Sequence, residues 1–221
     1  MDPMDRFLLD GLLAQARVVC LPTAAGKKGK ERITHWSELG VKHFTRLGAE
    51  CEAVEVIDRA TTMDEFHAQR IAEANFVYLS GGDPGYLYRT LDNTPAWDAI
   101  SSVLERGGVV AGCSAGAMIW GEQIPSLKPP PFRWGSGFNA IPGTAIIPHF
   151  DDPPRWLIAV YRAINFTRPT FVGIEGHTAL VASDGASQVV GKGGVTVWGK
   201  SVKRRYESLS AEDARSKTSS I

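Results

Sequence analysis

Short apolar segments alternate with segments of helical periodicity over the first half of this chain. The apolar segments are RVVCL at residues 17–21, CEAVEVI at 51–57, NFVYLS at 75–80 and GGVVAG at 107–112. Between them, apolar residues recur at the spacing of amphipathic helices, as in Ile33, Trp36, Phe44 and Leu47. Strands that alternate with helices of about 10 to 15 residues are typical of β-α-β units. The pattern therefore predicts a parallel sheet covered by helices on both faces.

The pattern changes in the second half of the chain. Residues 123–137, QIPSLKPPPFRWGSG, are too irregular for a helix or a strand and predict a surface loop beside the functional site. A helix is expected through PRWLIAVYRAINF at 154–166, and short apolar segments separated by glycine and aspartate predict hairpins at the sheet edge. The predicted fold class is therefore a three-layer α/β/α architecture. Its sheet is mostly parallel and flavodoxin-like, with antiparallel strands at the C-terminal edge.

Charge and composition exclude several classes of partner. The 221 residues contain 24 Lys and Arg and 24 Asp and Glu, which gives a formal net charge of +0. This balance offers no electrostatic reason to expect nucleic acid or an anionic membrane as a partner. The N-terminus lacks the basic and apolar regions of a signal peptide, and no stretch reaches the ~18 apolar residues of a membrane span. We therefore expect a cytoplasmic protein that contacts neither nucleic acid nor a membrane.

The cysteines predict neither a disulfide framework nor a metal site. Cys20, Cys51 and Cys113 are an odd and scattered set without metal-ligand spacing. This usage is consistent with a reducing compartment, and we expect no metal and no cofactor. The sequence leaves the oligomeric state undetermined.

A serine between small residues is the strongest candidate for chemistry. Gly112, Cys113, Ser114, Ala115 and Gly116 fit the G-x-S-x-G pattern between a predicted strand and a predicted helix. In that context the serine is held in an unfavourable backbone conformation, and the following helix directs its first N–H groups at a developing oxyanion. Two alternatives remain open from the residues alone, since Ser114 could be only a helix N-cap and Cys113 could be the nucleophile.

A serine nucleophile needs a base and an orienting acid. His149 and His177 both fall where predicted strands end, which is where open α/β sheets place their sites. The remaining histidines lie on polar or boundary faces of predicted helices: His35, His43 and His67. Glu175 follows an apolar strand and could fix the tautomer of an imidazole, or it could instead pair with Arg155 or Arg162.

Two triads can be written from these residues. The first is Ser114, His149 and Glu175, and the second is Ser114, Asp151 and His177 in the chain order of an α/β-hydrolase. The second requires a long strand array and a separate oxyanion loop, neither of which is visible in the sequence. We therefore favour the first triad.

The segment LSGGDPGYL, residues 79–87, offers a second oxyanion donor besides the N–H of Ala115. Gly81 and Gly82 can bring backbone N–H groups close to a substrate because they carry no side chain. The same segment also predicts a turn that leads into a helix with Pro84 at its first position. These two interpretations are compatible.

Together these segments resemble a known family. VYLSGGDPGYL, GGVVAGCSAGAMIWG, GFNAI, IIPHF and VGIEGHTALVASDGASQVVGKGGVTVW come in the order seen in the serine peptidases that include aspartyl dipeptidase (dipeptidase E) and cyanophycinase. The resemblance implies a fold like the glutaminase domain of class I glutamine amidotransferases. It also implies a catalytic triad of Ser114, His149 and Glu175, with oxyanion donors at Gly82 and Ala115. We further expect Asp83 and His177 to contact the substrate.

The resemblance also shapes the expected domain and activity. Family members usually begin with an additional β-strand, so we expect a single peptidase domain over residues 1–205 that lacks this strand, followed by a polar tail over 206–221. The predicted activity is hydrolysis of dipeptides or short, including aspartyl, peptides, with Arg133, Arg155 and Arg162 as candidates for holding a substrate carboxylate. The alternatives are a catalytically silent binding protein of the same fold and an esterase that uses His177.

Overall fold

The computed structural model describes residues 2–125, 134–152, 170–183, 185–199 and 203–208. The chain divides into two compact units. The parallel-sheet unit comprises Leu8–Trp120 and Ser136–Phe138, and the mixed-sheet unit comprises Met1–Phe7, Gly121–Gly135 and Asn139–Ile221. The single domain over residues 1–205 and the tail over 206–221 stay a prediction.

The four apolar segments of the first half form the sheet of the parallel-sheet unit. Its strands are β1 (Arg17–Leu21), β2 (Glu50–Ala53), β3 (Phe76–Leu79) and β4 (Val109–Gly112). All pairs are parallel, in the spatial order β2, β1, β3, β4. Leu79 is in register with both Leu21 and Gly112, so three strands end at the same level of the sheet.

Helices precede, connect and follow these strands. The first is α1 (Asp2–Asp10), which comes before β1 and whose residues up to Phe7 are assigned to the mixed-sheet unit. The others are α2 (Lys30–Arg46), α3 (Arg59–Thr62), α4 (Glu65–Ala72), α5 (Pro84–Leu91), α6 (Pro95–Glu105) and α7 (Ala115–Met118), with a 3₁₀ helix at Thr23–Lys28. Met63, Phe66 and Ile71 recur at helical spacing and predict one helix between β2 and β3, but this region forms two helices, because two aspartates each cap a helix start. Asp58 accepts from the Thr61 N–H and Asp64 from the Phe66 N–H.

The core of this unit follows from the alternation of side chains along each strand. On one face, Val18, Cys20 and Phe76 pack with the fully buried Phe44 of α2. The alternate residues of β1 and β3, among them Leu21 and Leu79, face the other side of the sheet and are also buried. Both faces are therefore covered, as the sequence predicts.

The two cysteines of this sheet remain thiols. Cys20 and Cys51 come from neighbouring strands, and their Sγ atoms lie 3.7 Å apart.

The mixed-sheet unit combines parallel and antiparallel strands. Its strands are β5 (Gln123–Pro125), β6 (Trp134–Ser136), β7 (Thr144–Pro148), β8 (Thr170–Ile174), β9 (Thr178–Ser183), β10 (Ala186–Gly191), β11 (Gly194–Trp198) and β12 (Lys203–Glu207). The last residue of β6 is assigned to the parallel-sheet unit. One sheet has the order β12, β11, β8, β7, in which only β7 and β8 run parallel to each other. The predicted hairpin is present, since β9 and β10 pair antiparallel.

Two features differ from the prediction. The region 123–137, predicted as an irregular loop, contains β5 and β6, which form a two-stranded sheet. Strand β12 was not predicted, and it extends past residue 205. The helix predicted at 154–166 lies outside the described residues.

The predicted fold class is confirmed. A parallel four-stranded sheet flanked by helices is combined with antiparallel strands later in the chain. Among the helices of the described residues, none has the length and apolarity that crossing a membrane would require.

The packing of Phe44 generates a stability prediction. Phe44 is 0% exposed, whereas Phe66 on the surface of α4 is 62% exposed. Removing the buried ring leaves a cavity, so Phe44→Ala should lower the free energy of unfolding by about 3–5 kcal/mol. The matched variant Phe66→Ala should lower it by less than about 1 kcal/mol. Urea unfolding followed by circular dichroism measures both, and equal losses would contradict the assigned core.

Candidate active site

The register of the parallel strands brings three loops to one edge of the sheet. The loops after β1, β3 and β4 all begin at the level of Leu79. The Asp83 N–H donates to the Ala24 carbonyl at 2.9 Å, which joins the first two loops. A Cβ built on Gly81 would lie 3.3 Å from the Cβ of Ser114, so the second and third loops also touch. This edge is the carboxyl end of the strands, where α/β sheets place their sites.

Ser114 has a strained backbone at the turn between β4 and α7. Its φ is 50° and its ψ is −110°, outside the regions that residues with a Cβ ordinarily adopt. Such a conformation costs about 1–3 kcal/mol and persists only where the surroundings impose it. Ser114 occupies the N-cap position, yet its side chain makes no capping hydrogen bond. The half-buried hydroxyl is therefore not used to stabilise the helix.

Two glycines make this turn possible. A Cβ on Gly112 would collide with the carbonyl group of Gly116, and a Cβ on Gly116 would collide with the carbonyl oxygen of Leu79. The Cys113 N–H also donates to that carbonyl, at 3.1 Å. The small residues of the G-x-S-x-G pattern are thus required by direct backbone contact between β3, β4 and α7.

In the loops around Ser114, several backbone N–H groups have no acceptor among the described residues. The N–H of Gly116 donates to the Cys113 carbonyl at 2.9 Å, and the next two N–H groups of α7 donate to the Ser114 carbonyl at 3.1 Å. Within the described part of the chain, the N–H groups of Ala115 and Gly82 have no acceptor. Ala115 is buried and Gly82 is exposed. A buried N–H group without an acceptor, such as that of Ala115, is uncommon, and the exposed N–H of Gly82 is open to solvent or to a ligand. Both donors are therefore candidates for binding an oxygen of a ligand.

Asp83 caps the helix that follows the glycine loop. Its Oδ1 accepts the Tyr86 N–H at 2.8 Å, and Pro84 occupies the first helical position, as the sequence predicts. This contact uses one carboxylate oxygen for the helix. A contact of Asp83 with substrate stays a prediction.

His149 and Glu175 follow the ends of neighbouring strands in the mixed-sheet unit. Pro148 of β7 is in register with Ile174 of β8, and the Phe150 N–H donates to the Ile174 carbonyl at 3.0 Å. The backbones of His149 and Glu175 are thereby adjacent. His149 has a φ of 54° and a side chain that is 59% exposed.

The His149 ring faces an aspartate in this structure. Its Nδ1 lies 3.9 Å from an Oδ atom of Asp152, and among the described residues no hydrogen bond joins His149 to Glu175. The predicted contact between imidazole and Glu175 therefore stays a prediction, supported by adjacent backbones and not by a side-chain bond.

Glu175 is held by an arginine from strand β12. Arg205 donates from Nε to Oε1 at 3.0 Å and from one terminal nitrogen to Oε2 at 2.9 Å, and the Gly194 N–H donates to Oε2 at 2.9 Å. The hydrogen bond from Arg205 is the main reason why the pKa of Glu175 is lower than usual, and the Gly194 N–H adds to it. Partial burial and the charge of Asp151 oppose this shift. The carboxyl is therefore ionised at neutral pH.

The ion pair that the sequence allowed for Glu175 is present with a different partner. Arg155 and Arg162, the partners considered, lie outside the described residues, as does Arg133. Arg205 was missed because it lies in the exposed segment KRRYE, which has no apolar alternation that would predict a strand.

Trp36 is a second residue that the sequence did not assign to the site. A Cβ on Gly81 would lie 3.4 Å from its indole ring as well as close to Ser114. The helical pattern places Trp36 only on the inner side of α2, and nothing local indicates its proximity to the serine.

The residues of the alternative triad are not bonded to each other. His177 is exposed with a φ of 52°, and its carbonyl accepts the Lys192 N–H at 2.9 Å. Asp151 accepts the Gly176 N–H at 2.7 Å. No hydrogen bond between Asp151 and His177 occurs in the described ranges.

Comparison with known proteins places the chain in a family. The model of peptidase family S51 matches residues 3–190. The chain therefore belongs to peptidase family S51, and the predicted family is confirmed. The predicted enzyme class, a serine peptidase, is confirmed at the level of the family.

Individual relatives agree with this assignment. A crystal structure of a peptidase from an acI-B1 Actinobacterium is 31% identical, with a TM-score of 0.81, and the alignment covers 93% of this chain and 87% of that one. The structure of a peptidase E-like protein from Listeria monocytogenes EGD-e, 18% identical with a TM-score of 0.58 over 82% of this chain and 89% of that one, supports the fold alone.

Two cyanophycinases are similar in sequence. That of Geminocystis herdmanii is 25% identical over 194 residues, which is 82% of this chain and 69% of that protein. That of Synechococcus elongatus is 29% identical over 166 residues, which is 70% of this chain and 51% of that protein. The chain therefore spans only part of the length of these relatives.

The contact between Gly116 and β3 can be tested directly. In a helix, alanine is normally more favourable than glycine by about 1 kcal/mol. In Gly116→Ala the new methyl meets the Leu79 backbone, which cannot move aside, so we expect lower stability despite this preference. In the control Gly85→Ala of α5, the tightest contact of the methyl is with the flexible end of Arg89 at 3.1 Å, and Asp83 Oδ1 lies at an ordinary 3.5 Å, so stability should be kept or raised. Thermal unfolding compares the two, and a stable Gly116→Ala protein would contradict the close packing.

Proposed function

We propose that this chain is a serine peptidase that hydrolyses the amide bond of dipeptides or short peptides, including aspartyl peptides, through Ser114, His149 and Glu175. The observation that carries the proposal is the backbone of Ser114. Ser114 is a non-glycine residue with a φ of 50°, so its backbone is strained. Its hydroxyl caps no helix, so the strain serves no structural purpose at this turn. Nucleophilic serines on strand-to-helix turns have this geometry.

In the proposed reaction, His149 acts first as a base. Its Nε2 takes the proton of the Ser114 hydroxyl while Oγ bonds to the carbonyl carbon of the substrate. The tetrahedral intermediate then collapses, the bond from carbon to nitrogen breaks, and the proton on His149 passes to the leaving amine. Water attacks the acyl-enzyme by the same route and releases the acid. Glu175 accepts the Nδ1–H of His149, which fixes the tautomer and stabilises the imidazolium.

The oxyanion of the intermediate is assigned to the N–H groups of Gly82 and Ala115. Both belong to the parallel-sheet unit, and both are without an acceptor among the described residues. Donors that are already unpaired need not break an internal bond when the oxygen develops its charge. A single donor of this kind contributes about 10²–10³ in turnover.

The substrate class rests on the relatives. The named relatives are peptidases and cyanophycinases. We assign Asp83 and His177 to contacts with the substrate; each lies in a loop that also carries a proposed catalytic residue. A screen of dipeptides that begin with Asp, Glu, Asn or β-linked Asp identifies the preferred bond.

The role of Ser114 predicts a large loss of activity on its removal. On the best substrate of the screen, Ser114→Ala should lower kcat by at least about a thousandfold while circular dichroism stays unchanged. Ser187→Ala, which changes an exposed serine of β10, is the matched control and should behave as wild type. A Ser114→Ala protein as active as its parent would overturn the proposal.

The choice of base is tested by covalent labelling. A fluorophosphonate should label Ser114 in the wild-type protein and in His177→Ala, but at a greatly reduced rate in His149→Ala, because only His149 activates the hydroxyl. Mass spectrometry of the labelled peptide measures each rate. Labelling that depends on His177 and not on His149 would favour the esterase-type triad. No labelling of the wild-type protein would favour a catalytically silent binding protein.

A further inference from the structure

Three groups surround the carboxylate of Glu175, and we call Gly193, Gly194 and Arg205 the Glu175 cradle. Oε2 accepts from the Gly194 N–H and from Arg205, while Oε1 accepts only from the Nε of Arg205. A carboxylate offers about four acceptor positions in all. One position, on Oε1, is therefore open among the described residues.

The glycines of the cradle let the two charged groups approach the backbone closely. A Cβ on Gly194 would lie 2.8 Å from the central carbon of the Arg205 guanidinium, so the planar group lies directly over this residue. A Cβ on Gly193 would lie 2.9 Å from Oε2 of Glu175. The Gly193 N–H is bonded to Thr178, whose hydroxyl donates to the Gly176 carbonyl, which ties the cradle to the loop after Glu175.

Arg205 is itself held in place from its own strand. Its remaining terminal nitrogen pairs with Glu207, two residues further along β12 and thus on the same face. All three nitrogen positions of the guanidinium are engaged by carboxylates, two by Glu175 and one by Glu207. A bidentate pair of this kind fixes orientation as well as charge.

From this arrangement we infer that Arg205 is a positioning residue for catalysis: it pins the Glu175 carboxylate so that the remaining acceptor position of Oε1 receives the Nδ1–H of His149. The inference rests on the proposed function, because it gives Arg205 a role only if Glu175 orients His149. The register of β7 and β8 places the backbones of His149 and Glu175 side by side, so the proposed bond needs only a rotation of the exposed His149 side chain. Arg205 also supplies the hydrogen bonds and the positive charge that lower the pKa of Glu175.

The test compares two arginines of the same strand. Arg204 lies over the ring of Tyr206, 4.9 Å from its centroid, and is exposed like Arg205. On the best peptide substrate, Arg205→Gln should lower kcat by about tenfold to a hundredfold with little change in KM, since a misplaced catalytic group costs about that much. Arg205→Lys keeps the charge but not the bidentate geometry, so its kcat should lie between those of the wild-type protein and Arg205→Gln. Arg204→Gln should match wild type.

The pH profile of kcat separates positioning from mere stabilisation of the fold. The charged groups that face Glu175 are Arg205, which lowers its pKa, and Asp151, which raises it. Without Arg205 the pKa of Glu175 rises, so the loss of kcat that follows protonation of this carboxylate at low pH should begin at a higher pH in Arg205→Gln. It should stay in place in Arg204→Gln. Urea unfolding of each variant controls for a general loss of structure.

A double-mutant cycle with Glu175→Gln decides whether Arg205 acts through that carboxylate. If it does, Arg205→Gln should cause no further loss of kcat in the Glu175→Gln background. The inference would be overturned by equal losses of kcat in both backgrounds, or by an Arg205→Gln protein with wild-type kcat and pH profile. In either case an inactive Ser114→Ala protein would leave the proposed function standing. An active Ser114→Ala would instead overturn the proposed function, and the inference with it.

Discussion

The backbone contact between Leu79 and Gly116 is the constraint on which the serine turn depends. The Leu79 carbonyl accepts the Cys113 N–H, and the helix that follows Ser114 packs against the same carbonyl with a residue that has no side chain. A chain that approaches so closely cannot relax the turn, so Ser114 keeps its positive φ. The strain of about 1–3 kcal/mol is offset by burial in the surrounding core. The close packing at the end of the sheet is thus what makes the strained conformation of Ser114 persist.

Hydrophobic periodicity predicted the fold wherever strands are buried. β1 and β3 have buried side chains on both faces, and their apolar runs are visible in the sequence. β12 is exposed along its whole length, so it is stabilised by backbone pairing with β11 and not by a pattern of side chains. The two short strands were not predicted for a similar reason. β5 and β6 have three residues each, which is too short for a pattern of side chains, and they pair with each other.

The candidate site was predictable to the extent that its parts lie at strand ends. Ser114 follows β4, and His149 and Glu175 follow a parallel pair of strands, so a local pattern and a topological rule predicted these positions at strand ends. Their joint role as a triad stays a prediction. The partner of Glu175 was not predictable, because it lies 30 positions away and no local signal links the two. The positive φ of His149 and His177 was equally hidden, since nothing in either residue type requires it.

The position of Arg205 in the fold bears on how Glu175 can be altered. Arg205 lies on β12, whose side chains are all exposed, whereas Glu175 follows β8. A substitution on this outer strand removes no buried side chain, yet it changes the charge that the Glu175 carboxylate meets. The acidity of this group is therefore open to adjustment from the surface, independently of the packing of the core.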